Sequence, residues 1–130
     1  GIGLTIAKML NSRGCAVVVL DINSEVKSMF NGLDMMGIEC DLTSSDDIKR
    51  AVEKAVKRFG GIDIVVSNAG IFTSSQNLED LSEDNWQKSI DINLTAHQKL
   101  LKETIPFLKL GIDPAIVMTA SKNFPAPRKG

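Results

Sequence analysis

No tyrosine occurs anywhere in this chain, and aromatic residues of every kind make up only 5% of it. That scarcity excludes a surface built on stacked rings, and any chemistry that needs a phenol must take it from elsewhere. An initiating methionine is also missing: the chain opens at Gly1 and passes directly into a helical pattern. Together the two absences lead us to expect a fragment. Cysteine is rare, with Cys15 and Cys40 each at the edge of an apolar run and no second Cys or His at metal-ligand spacing. Both are expected to be small buried side chains in a reducing compartment, with neither a metal site nor a disulfide. No stretch approaches the roughly 18 apolar residues of a membrane span, and the opening Gly-Ile-Gly-Leu-Thr-Ile-Ala-Lys is not a signal peptide. A cytoplasmic protein is expected.

Neither sign of charge dominates. Fifteen basic against sixteen acidic residues leave a net charge of -1, and the only dense basic cluster is Arg128 with Lys129. No nucleic-acid or membrane partner is expected. What the chain does have is 130 residues with 43% hydrophobic content, enough for one compact domain around one core.

Leu4, Ile6, Ala7 and Leu10 recur at helical spacing and stop at Arg13-Gly14. Cys15 to Leu20 is a β-branched run closing on Asp21, the pattern of a strand buried on both faces of a parallel sheet. Asn23 or Ser24 caps a short helix reaching about Asn31, and Met35 to Cys40 reads as a strand ending at Asp41. Ser44 or Ser45 caps a helix with Ile48, Ala51, Val52, Ala55, Val56 and Phe59 on one face, ended by Gly60-Gly61. A strand from Ile62 to Val66 runs into Ser67-Asn68-Ala69-Gly70. A long helix from about Ser82 to Leu110 follows, then Pro114, a strand from Ala115 to Thr119, and a loop containing Pro125 and Pro127. This alternation defines an α/β fold with a doubly wound parallel sheet, a partial Rossmann-like domain over residues 1–130. A helix opening at residue 1 implies a missing first strand, which would leave its neighbours with an unpaired edge.

The chemistry-bearing positions lie where strands end. Gly1 and Gly3 stand where a glycine-rich loop enters a helix, letting backbone amides approach a pyrophosphate, although paired glycines also serve plain turns. Asp21 closes its strand eighteen positions after Gly3, near the roughly 20-residue offset at which an acid accepts hydrogen bonds from an adenosine ribose. A carboxylate there repels a 2'-phosphate, which favours NAD over NADP; the alternative is a surface acid capping the next turn. Asp41-Leu42 offers a carboxylate and an aliphatic side chain for an adenine amino group and ring face. Asn68-Ala69-Gly70 places small residues in the crevice where such sheets bind ligands.

Together these residues resemble the short-chain dehydrogenase/reductase family over essentially the whole chain. Gly1-Ile2-Gly3 is similar to the end of its GxxxGIG motif, Asp21 to its ribose acid, Asp41-Leu42 to its adenine contact and Asn68-Ala69-Gly70 to its Asn-Ala-Gly motif. Asn93, within Asp91-Ile92-Asn93-Leu94, is similar to the helix asparagine of the catalytic tetrad, and Ser121 to the serine after the fifth strand. The runs 111–117 and 120–127 look like the dehydrogenase part of bifunctional aldolase/short-chain dehydrogenase proteins, the rhamnulose-1-phosphate aldolase type.

The resemblance implies hydride transfer between NAD and a small alcohol or aldehyde, with lactaldehyde as a candidate. It also implies a homo-oligomer and an aldolase domain upstream. In the family the serine holds the substrate oxygen and the asparagine positions a water in the proton relay, while a Tyr-x-x-x-Lys pair completes the machinery. That pair would fall beyond Gly130, so these residues alone are not expected to catalyse. His97 is read as a packed or surface residue, Trp86 as helix-face packing, and Lys122 as distinct from the family's lysine. A non-catalytic dinucleotide-binding module is the competing reading, separated by whether Tyr-x-x-x-Lys follows in register. A sugar-nucleotide epimerase is a third, against which the short spacing and the context of Ser121 argue.

Overall fold

The computed structural model describes residues 1–72 and 77–120; Ser121 and the loop with Pro125 and Pro127 lie outside the described residues. The clearest link from sequence to local structure is the helix Ser45–Phe59. Ser44 accepts the Asp47 N–H at 3.2 Å, Asp46 and Asp47 occupy the first turn, and Lys57 and Arg58 the last. Each charge complements the helix dipole. Gly60 then takes φ 88°, the left-handed conformation that ends a helix and that side chains resist.

In chain order the elements are α1 (Ile2–Ser12), β1 (Val17–Asp21), α2 (Val26–Met29), β2 (Met35–Glu39), α3 (Ser45–Phe59), β3 (Ile64–Ser67), α4 (Glu83–Ile90), α5 (Ala96–Leu108) and β4 (Ala115–Met118). A 3-10 turn at Leu78–Asp80 precedes α4, and a π-turn at Asp91–Thr95 joins α4 to α5. β1 pairs with β2 in parallel, with Val17 opposite Met35 and Asp21 opposite Glu39. β3 pairs with β4 in parallel, with Ile64 opposite Ala115 and Ser67 opposite Met118. Among the described residues the two pairs share no ladder. The strand starts and ends differ from the sequence reading by up to two residues, as terminal ladder bonds decide them.

One core was expected; among the described residues two clusters are found, one on each face of the sheet. Side chains along a strand alternate between faces, so Val17 and Val19 meet Ala7 of α1 and Val26 and Phe30 at α2. Val18 and Leu20 turn the other way, onto a larger cluster. There Ile38 and Cys40 meet Ile48, Ala51 and Val52 of α3, Val65 of β3, and Leu100 and Leu108 of α5. Helices therefore cover both faces, and α3 with α5 bridges the strand pairs. In β1 only Val17 is buried, Val18 to Leu20 are half-buried and Asp21 is exposed, and every residue of β4 is exposed, so the sheet is less enclosed than a run buried on both faces.

The single long helix read from the sequence is broken at Asp91–Thr95. An Asn inside a helix needs a partner, and Asn93 finds one outside its own helix, in the backbone of Ile71. Such π-turns tend to mark functional positions. Trp86, read as packing, is 55% exposed. No helix among the described residues is long and apolar enough to cross a membrane.

Candidate functional site

Three chain segments meet where β3 and β4 end, namely the start of α1, the turn after β3 and the end of β4, while the residues after β1 and β2 close the other strand pair. The start of α1 differs from that of α3 and α4. Ser44 and Ser82 cap those two, each with acids in the first turn, whereas α1 has neither a side-chain cap nor a first-turn acid. The positive end of its dipole is therefore left without a compensating side chain from its own first turn. Among the described residues nothing lies within 4 Å of where a Cβ on Gly1 would stand, while Ile2 is 66% exposed.

Gly3 serves a different need. A Cβ there would stand 2.9 Å from Nδ2 of Asn68, so the missing side chain lets the amide close on the helix. Asn68 is fixed from its other end, where Oδ1 accepts the Thr119 hydroxyl at 3.0 Å. Thr119 also donates its backbone N–H to the Ser67 carbonyl at 2.9 Å. Gly3, Asn68 and Thr119 thus tie the start of α1 to the ends of β3 and β4. The sequence reading singled out the first two but missed Thr119, whose role depends on the register of β4 against β3.

The turn after β3 is held by the π-turn. Asn93 Oδ1 accepts the Ile71 N–H at 2.8 Å, and its Nδ2 donates to the Ile71 carbonyl at 3.0 Å and to Ser89 Oγ at 3.2 Å. A Cβ on Gly70 would press to 3.2 Å from Asn93 Oδ1, so this glycine makes room for the clamp. Ala69 lies between these anchored neighbours. Asn93 also helps line a groove of about 510 Å³ between α5 and β4, with His97, Leu101, Ile105 and Met118.

Asp21 and Asp41 close the two adjacent parallel strands in matching ways. Asp21 Oδ1 accepts the Asn23 N–H at 2.9 Å, and Asp41 Oδ1 accepts the Thr43 N–H at 2.8 Å. Each is an acid bonded to the backbone two residues on, so both readings of Asp21, turn cap and ligand acid, remain compatible: Oδ2 takes no hydrogen bond among the described residues. Asp41 Oδ2 is in the same position, while its Oδ1 takes the Thr43 hydroxyl as well, at 2.7 Å. The Thr43 backbone N–H, then its hydroxyl, and more weakly Lys99 hold the Asp41 carboxyl below its ordinary value against a partial opposing cost of burial. Lys99 itself donates to the Thr43 carbonyl at 2.5 Å. Leu42 is half-buried against the larger core.

Both cysteines are free, Cys40 fully buried and Cys15 only half so. Burial, with help from the Asp47 and Asp41 carboxylates, pushes the Cys40 thiol up to about 11. It is a protonated packing residue beside the site rather than a nucleophile.

Parallel strands with helices on both faces, and polar groups gathered at the strand ends, define a doubly wound α/β fold of the Rossmann type. The sequence profile of the family described as short chain dehydrogenase matches residues 1–129, and the chain belongs to that family. It is 37% identical over 123 residues to the asnovolin H dehydrogenase of Aspergillus novofumigatus, covering 94% of this chain and 48% of that one. It is 33% identical over 127 residues to human dehydrogenase/reductase SDR family member 4, covering 93% and 46%. Among solved structures, the 3-ketoacyl-(acyl-carrier-protein) reductase of Brucella melitensis complexed with NADH superposes with a TM-score of 0.93 at 27% identity, over 98% of this chain and 56% of that one. The chain spans about half the length of the curated relatives it matches.

Proposed function

We propose that these residues form the cofactor-binding part of an NAD-dependent oxidoreductase acting on a small alcohol or aldehyde. The observation that carries the reading is the uncapped, acid-free start of α1, drawn against the end of β3 by the close approach of Gly3 to Asn68. Gly1, Ile2 and Gly3 offer main-chain N–H groups to a pyrophosphate. Asp21 turns its remaining carboxylate oxygen to the ribose hydroxyls, which disfavours a 2'-phosphate and hence NADP. Asp41 accepts from the adenine amino group, with the exposed part of Leu42 against the ring. Asn68, Ala69 and Gly70 carry the main chain past the nicotinamide end. Similar reductases solved in complex with NADH and with NAD support a nicotinamide dinucleotide.

The nicotinamide supplies the hydride chemistry when bound. The chain's own part is orientation and one proton. With both ends of its side chain engaged by Ile71, Asn93 holds a relay water through its main-chain carbonyl, and Ser121 holds the substrate oxygen. Lactaldehyde and its alcohol are the first substrates to try, because runs 111–117 and 120–127 resemble aldolase-fused dehydrogenases. Likeness to the short-chain dehydrogenase family supports a homo-oligomer, and the resemblance to aldolase-fused dehydrogenases supports an upstream aldolase domain.

The test is to express the complete reading frame, titrate it with NADH and NADPH by fluorescence, and follow NADH absorbance with small aldehydes and alcohols. Tighter binding of NADH than NADPH, relaxed by Asp21→Ala, supports the reading, as does turnover abolished by Ser121→Ala with cofactor affinity kept. Dinucleotide binding without turnover on any small alcohol or aldehyde transfers the chain to the non-catalytic binding class. An unchanged preference in Asp21→Ala removes that residue from the ribose role.

A further inference from the structure

The turn Asn68-Ala69-Gly70 is anchored at its far end by the Asn93 clamp on Ile71, and a second side-chain bond anchors its near end. Ser67, the last residue of β3, has its Oγ 2.5 Å from Nδ1 of His97. The two residues are 3% and 8% exposed, so the bond lies largely out of water. Ser67 and Ile71 are four residues apart, and so are His97 and Asn93, one helical turn. One stretch of helix therefore grips the chain on both sides of the turn.

A Val and a Leu at these places would fill similar space without the desolvation cost of two buried polar groups. A satisfied buried pair instead fixes one geometry, because leaving either partner unpaired is costly. We propose that His97 is a positioning residue: through Ser67 it sets the height of the Asn68-Ala69-Gly70 turn and thereby the fit of the dinucleotide. The part concerning the dinucleotide rests on the function proposed above; the part concerning the turn does not.

The test uses the full-length protein with Ser67→Ala, His97→Leu, the two combined, and His97→Asn. An Asn amide can place either a donor or an acceptor near the position of Nδ1, whichever role the ring takes. Amide hydrogen exchange at Ala69, Gly70 and Ile71 reports the turn, NADH titration reports the fit, and thermal midpoints report folding. Ser67→Ala and His97→Leu should each speed exchange in the turn and weaken NADH binding roughly tenfold. The double variant should be no worse than either single one, since both remove one bond. His97→Asn should return both readouts to within about twofold of wild type.

Unchanged exchange in Ser67→Ala, additive losses, or a His97→Asn protein no better than His97→Leu would each overturn the proposal. If His97→Leu fails to fold, Ser67→Ala against His97→Asn still decides it. If the wild-type protein binds neither NADH nor NADPH, the dinucleotide reading fails, and the exchange rates alone decide whether the tether sets the turn.

Discussion

Asn93 closes a two-bond clamp on the backbone of Ile71, accepting its N–H at 2.8 Å and donating to its carbonyl at 3.0 Å. The clamp explains why a residue with poor helix propensity sits in the middle of the longest helical stretch, and why the helix widens there. Asn93→Ala should cost about 1 kcal/mol, a modest figure because water can reach the exposed Ile71 groups. The same variant should lower turnover of the full-length protein at least tenfold while leaving substrate KM nearly unchanged. Urea unfolding and steady-state kinetics check the two parts, and wild-type turnover would remove Asn93 from the site.

The fold class was legible because its signals are local. Helix capping at Ser44, the β-branched run before Asp21 and the glycines at 60 and 61 each read out one element at a time. The interrupted helix was not legible, because nothing in residues 82–110 announces a π-turn; its cause is Ile71, twenty-two positions away. The same holds for Thr119 and for the pairing of Ser67 with His97, which depend on strand register and on which face of α5 meets β3. His97 one turn beyond Asn93 was visible as a spacing, but only its burial against Ser67 gives the spacing meaning. Two cores replaced one because the alternation of Val17, Val18, Val19 and Leu20 feeds both faces of the sheet.

Asp41 should contribute to the acid limb of stability. Its folded pKa is lowered from 3.8 by the Thr43 backbone N–H, the Thr43 hydroxyl and Lys99. The unfolded chain therefore binds the proton more readily, and stability rises with pH through this window. The contribution is fully present above about pH 5 and is lost as pH falls through the folded value. Thr43→Val removes only the hydroxyl bond and should flatten the acid limb in part, whereas Asp41→Asn should remove this group's share. Urea midpoints between pH 3 and 7 give the answer. Parallel curves for wild type and Asp41→Asn would show that the Thr43 bonds carry no proton-linked stability.

Among the glycines of the described residues, Gly37 in β2 would meet the closest backbone obstacle if it carried a side chain. A Cβ there would stand 1.9 Å from the carbonyl oxygen of Val26, so α2 lies directly on the strand, and Gly37 donates its N–H to the Phe30 carbonyl at 2.7 Å. Gly37→Ala cannot be absorbed by a side-chain rotation, because the obstacle is main chain. A loss on the order of 3 kcal/mol or more is expected, with α2 displaced and the cluster of Ala7, Val17, Val26 and Phe30 opened. Thermal unfolding within 1 °C of wild type would mean that α2 can lift off without cost.

Gly3 offers a prediction whose sign depends on its neighbour. Alanine generally favours a helix over glycine by up to about 1 kcal/mol, but a Cβ on Gly3 would meet Asn68 Nδ2 at 2.9 Å. The amide cannot simply swing away, since Thr119 holds it by Oδ1. In the wild-type background Gly3→Ala should therefore leave stability unchanged or slightly lowered, and it should weaken NADH binding because Asn68 is pushed off the end of β3. In an Asn68→Ala background the obstacle is gone, so the same substitution should stabilise by about 0.5 kcal/mol. A thermal double-mutant cycle measures the difference. Equal effects of Gly3→Ala in both backgrounds would show that Asn68 does not press on the start of α1, and the close approach that carries the functional reading would fail with it.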